Sequence, residues 1–280
     1  MNDATVKPHS NIKDETSLHS EFVGMLFALA IAQVAVESAD LVNHKFYSLK
    51  SDFLPAFSHL FLATTIIGSS WIGWKSSKSS MSKINNIFTL NSIELLIDVF
   101  LVVCYFIIVK SVETISPLGH FVPSAKPEVL WTTVILTTYF LWDLLTKLFK
   151  KIELAPHSVE GPTLQNKSQI VQKVCSCPII ILKKLWLWVT KWEWKSFLNR
   201  GWASFVCSFM SILAFYFLPL ETTNTLTIVF IDLDLFFLIL TFRAMKLEDF
   251  DKLSTCQHVG WITLLVFFLG LMISLHLLPK

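Results

Sequence analysis

The sequence predicts an all-α polytopic membrane protein with about seven transmembrane helices, one cytoplasmic interfacial amphipathic helix, an inside amino terminus and an outside carboxy terminus. Three observations carry that expectation. Hydrophobic residues fill 53% of the 280 positions, with 24 phenylalanines and 10 tryptophans, while charged residues make up only 16%, against about a quarter in soluble domains. Apolar runs near the roughly 20 residues needed to cross about 30 Å of hydrocarbon recur along the chain. The lysines and arginines between those runs are unevenly shared.

The runs lie at 22–42, 57–74, 88–109, 129–149, 202–219, 225–242 and 259–278. Backbone amides cannot go unpaired in lipid, so such runs are expected as helices. Barrel strands would show about ten residues of alternation, and that pattern is absent. Residues 1–20 carry Asp3, Asp14 and Glu15, unlike a basic, apolar secretory leader, and read as a polar cytoplasmic tail. Residues 21–149 then hold spans one to four. The second span is short and polar, with Thr64, Thr65, Ser69 and Ser70, and ends in Trp71, Ile72, Gly73 and Trp74, an aromatic belt at the interface. Spans five to seven occupy 201–280.

Residues 150–200 form a basic cytoplasmic segment. It opens as a loop with Pro156, Gly161 and Pro162, then becomes apolar from Pro178 to Phe197 with interruptions at Lys183, Lys184, Lys191 and Lys195. On a helix, Lys184, Lys191 and Lys195 share one side and Leu182, Leu185, Trp186, Val189 and Trp192 the other. Lysine heads reaching phosphates above buried indoles describe a helix lying on anionic lipid. With the amino terminus inside, cytoplasmic segments hold two, three, ten and three basic residues; only Lys45, Lys50, Lys110, Lys126 and Lys280 lie outside. That bias sets the expected orientation.

Chemistry is expected at carboxylates in or beside the spans: Glu37, Asp40, Glu94, Asp98, Asp143, Asp232 and Asp234. Each is costly in hydrocarbon and should face the bundle interior or water. Gln33, Glu37, Asp40 and His44 share one helix face, and Asn91, Glu94 and Asp98 share another. Asp143 has Lys147 one turn away, Asp40 has His44, and His59 is a further candidate partner. Asp232 and Asp234 stand about 200° apart on a helix, so only one can face a given pore. Ranked by depth, these groups form a ladder across the membrane that would attract cations or relay protons.

Other chemistries lose their footing. Zinc-protease, nucleophile-elbow, dinucleotide and P-loop motifs are missing, and the last span has no lysine for a retinal linkage. The net charge of +2 offers no basic excess for nucleic acid. Cys104, Cys207 and Cys256 read as small hydrophobes, and Cys175 and Cys177 as a lone pair too sparse for a metal site. The expectation is therefore a cation or proton channel or transporter of the plasma (inner) membrane, with the lipid bilayer and its ion as partners. The chain could enclose a narrow path itself or contribute helices to a homo-oligomer or a membrane partner subunit; no cofactor, metal or catalytic residue is implied. The alternatives are a non-conducting sensor or assembly subunit and an intramembrane lipid-modifying enzyme using Glu94 and Asp98 as acid and base.

Overall fold

The computed structural model describes residues 12–45, 53–77, 90–112, 124–154, 194–246 and 255–277. Among them the chain is all-helical, with seven helices and no strand: α1 (Ile12–Lys45), α2 (Phe53–Ser77), α3 (Leu90–Lys110), α4 (Lys126–Leu154), α5 (Trp194–Phe217), α6 (Thr225–Lys246) and α7 (Thr255–His276). The seven apolar runs fall in these helices in order. Five stretches are long and apolar enough to cross a membrane: Glu21–Asn43, Phe53–Lys75, Lys126–Thr146, Thr225–Met245 and Thr255–His276; the apolar part of α5 is shorter, Trp202–Phe217. They suggest an integral membrane protein.

Two helices begin eight or more residues before their runs. α1 starts at Ile12, inside the stretch expected as a tail. α5 starts at Trp194, so residues 194–197 of the expected interfacial helix open a long helix instead. Residues 178–193, with Lys183, Lys184 and Lys191, and the side chain of Lys195 lie outside the described residues. So do Cys175 and Cys177. Asn224 caps α6, its Oδ1 accepting from the Leu226 amide at 3.0 Å, which closes the short connection between α5 and α6.

Successive helices run in opposite directions. The starts of α2 and α4 meet the end of α3 through His59, Glu128 and Ile108. The end of α6 meets the end of α2 through Arg243 and Ser70, and the end of α7 meets the end of α5 through His276 and Phe217. We call the end where α2, α4 and α6 start the upper end, and the opposite one the lower end. α2 and α6 pack together as the most buried pair, and α1, α3, α4, α5 and α7 form an arc around them.

Side chains sort by face as a bundle in lipid requires. Phe61, Ile72, Leu96, Val103, Val266 and Phe267 are exposed, while Ile66, Ile67, Tyr105, Leu235, Leu238 and Phe242 are buried. Most charged groups inside the apolar stretches take the opposite side: Glu128, Asp143, Asp232 and Asp234 are buried, and Glu37, Asp98 and Arg243 are half-buried, while Asp40 is exposed. Hydroxyls join α4 to α5, with Thr133 donating to the Ser211 carbonyl at 3.1 Å and Thr137 paired with Ser208 at 3.2 Å. Such contacts hold helices together where lipid tails give no hydrophobic advantage to packing.

Candidate functional site

Each of α2, α4 and α6 carries two polar side chains 11 residues apart: His59 and Ser70, Glu128 and Tyr139, Asp232 and Arg243. Eleven residues make about three turns, so the second residue returns to within about 20° of the first and lies about 16 Å further along the axis. Three helices with this spacing build two polar layers on the same faces.

The upper layer joins four helices. His59 Nδ1 lies 2.9 Å from Glu128 Oε1, and both side chains are fully buried. The other ring nitrogen, Nε2, is 2.9 Å from the Ile108 carbonyl of α3. A carbonyl only accepts, so Nε2 carries hydrogen and donates it. The preceding residue of α2, Ser58, donates to Asp232 Oδ2 at 2.5 Å.

The lower layer is built around a cation. Arg243 Nη2 donates to Ser70 Oγ at 3.1 Å, and the guanidinium lies over the rings of Tyr139 and Phe242 at 5.6 and 5.2 Å. Tyr139 shares a hydrogen bond of 3.0 Å with Tyr105 of α3. The arginine fits because residue 73 is glycine: a Cβ there would run into the guanidinium. Gly73 thus has a packing role inside the segment expected only as an aromatic belt. Trp71 is exposed and holds Lys75 over its ring at 6.0 Å, as a belt residue would, while Trp74 turns inward against Phe27 at 5.9 Å.

Between the layers lies a mostly apolar slab, with the buried threonines Thr132, Thr138 and Thr241 within it. Leu62, Ala63, Ile66 and Ile67 of α2, Ile135 and Leu136 of α4, and Leu235, Leu238 and Ile239 of α6 are all buried. Asp234, two residues after Asp232, lies on the opposite side of α6. It is fully buried, and neither carboxyl oxygen has a hydrogen-bond partner among the described residues. An ionised carboxylate in that setting costs several kcal/mol.

The other expected carboxylates stand elsewhere. Glu37 accepts from Gln33 Nε2 of its own face at 2.8 Å and from Lys110 Nζ of α3 at 2.6 Å. Glu37, with Asp40 behind it, raises the Lys110 ammonium above its ordinary range. Asp143 accepts from Ser204 of α5 near the lower end. Asp98 is half-buried on α3, two turns below Tyr105 on the same face. The side chains of Asn91, Glu94, His44 and Lys147 lie outside the described residues. The expected set therefore divides: Asp232 joins the upper layer, Asp234 is buried on the opposite side of α6, Glu37 and Asp40 gather at Lys110, and Asp143 binds between α4 and α5. Among the described residues no three His, Cys, Asp or Glu side chains converge to hold a metal ion.

Sequence reasoning passed over Glu128, Arg243, Lys110 and Ser58. The signals were present. His59 was already a candidate partner for a carboxylate, and the common spacing of 11 is readable on the three runs. Glu128 sits just ahead of its apolar run and Arg243 just after its own, so both resemble boundary residues until neighbouring helices are placed. No family model, curated protein or solved structure matches the chain.

Proposed function

We propose that the protein spans the plasma (inner) membrane seven times, amino terminus inside, and provides a cation or proton permeation pathway lined by buried carboxylates. The observations that carry this reading are the pair of polar layers on the central helices, separated by mostly apolar buried side chains, and the buried carboxyl of Asp234 on α6. Helix glue needs a partner for each polar group, and Asp234 has none among the described residues. A group of that kind inside a membrane is a functional hypothesis by default. The slab gives the closed form of such a path. The basic segment 150–200 holds the inner face on anionic lipid, and a second copy or a membrane partner subunit could complete the pore.

The test is ion flux through the purified chain in liposomes, wild type against Asp234→Asn and Asp232→Asn. The proposal expects Asp234→Asn to lower flux strongly with the fold intact, because an amide has the shape of the acid and no exchangeable acid proton or formal charge. Absence of flux under every cation and proton gradient would overturn it and return the carboxylates to assembly or lipid chemistry.

A further inference from the structure

We propose that Arg243 holds a phosphate group at the lower end of the bundle, in an oxyanion site between α2 and α6. The phosphate can belong to a lipid headgroup or come free from water, since both offer the same terminal oxygens to a guanidinium.

The charge at this point is unmatched. A guanidinium carries five N–H donors in a planar fork and stays charged at any accessible pH. Among the described residues those donors make one hydrogen bond, from Nη2 to Ser70 Oγ at 3.1 Å. The Nε–H is buried without an acceptor. The ion pairs among the described residues join His59 to Glu128, Lys110 to Glu37 and Lys126 to Glu221, and none reaches Arg243. The rings of Tyr139 and Phe242, 5.6 and 5.2 Å from the guanidinium carbon, attract the cation. An aromatic face has no net charge with which to cancel it. The ends of α2 and α6 favour a cation through their dipoles, but they too leave the fork without an acceptor among the described residues.

Placement decides which anion is at hand. Arg243 lies two residues before the end of its apolar stretch at Met245. The helix from Thr225 to Arg243 rises about 27 Å, close to the roughly 30 Å of a hydrocarbon core. The guanidinium therefore stands at the boundary where headgroup phosphates begin, and basic pockets between spanning helices are suited to them. Arg243 is half-buried, so an anion can reach it from outside the bundle. The fork favours an oxyanion, which takes two parallel N–H···O bonds, over a spherical halide. Gly73 makes the room: a Cβ there would run into Nη1, so the α2 backbone leaves the fork its place.

The test reads binding rather than flux, so its outcome is independent of the permeation reading. The full chain, purified in a phosphate-free detergent, is titrated with dioctanoyl phosphatidic acid, a short lipid with a phosphomonoester head. Dioctanoylglycerol, the same lipid without phosphate, is the control, inorganic phosphate is the competitor, and native mass spectrometry counts what is bound. The expected result is saturable binding of phosphatidic acid that dioctanoylglycerol does not match. Arg243→Met should weaken it about tenfold or more, the scale of a lost charge-assisted pair. Gly73→Ala displaces the guanidinium without removing it and should weaken binding as well, which separates loss of the site from loss of the fold. Displacement by inorganic phosphate supports a site open to soluble phosphate, and resistance to it supports the lipid headgroup. Equal binding of dioctanoylglycerol, no binding of either phosphate probe, or unchanged affinity in either folded variant overturns the proposal.

Discussion

The upper and lower layers use the same three helices, the same faces and the same spacing, yet handle charge in opposite ways. The upper layer sets two ionisable groups of opposite sign together, His59 and Glu128, beside the Ser58–Asp232 contact. The lower layer holds a guanidinium that stays charged at any accessible pH. It is met by a hydroxyl and two aromatic faces rather than, among the described residues, by a carboxylate within ion-pair distance. One layer can therefore change its charge by a proton and the other cannot. The difference teaches that a polar position inside an apolar helix is not one kind of thing. What decides its behaviour is whether its neighbours supply a counter-charge or only polarisable surface.

That contrast is sharpened first by breaking the upper pair. His59→Ala strands the Glu128 side chain without its imidazole in full burial and should cost about 3–5 kcal/mol, read from unfolding in detergent. Replacing both partners by leucine removes the charge problem and should recover most of that loss. A double variant that loses the sum of the two single losses would show that the pair is not coupled. Arg243→Met is the matching change below. It removes one hydrogen bond and two ring contacts and exposes no described carboxylate, so about 1–2 kcal/mol is expected. A loss as large as that of His59→Ala would reveal a counter-charge and collapse the contrast.

A smaller effect is expected at Gly73. A methyl group there meets the far end of a flexible side chain, so the arginine should swing away rather than the helices part, at less than about 1 kcal/mol. In an Arg243→Met background the same Gly73→Ala change should have no effect, and a remaining cost would place the clash elsewhere.

The smallest effect belongs to Glu37 and Lys110, where the lysine is 65% exposed. Glu37→Gln should change stability only within error in high salt, because water and ions screen such pairs. The sign with pH is set by the lysine. Its raised value means that the contribution is present below the ordinary lysine range and fades as pH rises through the raised one. A titration of wild type against Glu37→Gln in low salt checks that direction.

The helices were legible because hydrocarbon demands them: an apolar run of sufficient length has few other folded solutions. Helix starts were not. Residues 12–21 and 194–201 are too polar to register as part of a span, yet backbone hydrogen bonding carries α1 and α5 through them. Part of the site was also legible. Gln33 and Glu37 share a face as their spacing requires, and Asp232 and Asp234 point to opposite sides of α6. Depth ranking, however, set all the carboxylates on one ladder, and the packing distributes them over separate helix pairs. Periodicity fixes the direction of a side chain around its own helix and says nothing of which neighbour stands there. For the same reason Glu128 and Arg243, at the margins of their runs, gained importance only once α2 was seen between them.

The spacing of 11 residues also limits how the bundle can move. Sliding α2 past α6 by one turn, about 5.4 Å, would press Ser58 and His59 against the leucines and isoleucines of the slab and pull Ser70 off the arginine in the same stroke. Polar groups would be lost at both levels at once, with nothing gained between them. The two layers thus act as two pins in one hasp, blocking axial slip. What remains open is a hinge: α2 can tilt about the lower pin while the upper one disengages, and an added or deleted residue between the pins would misalign the lower set by about 100° and lock or undo the bundle altogether.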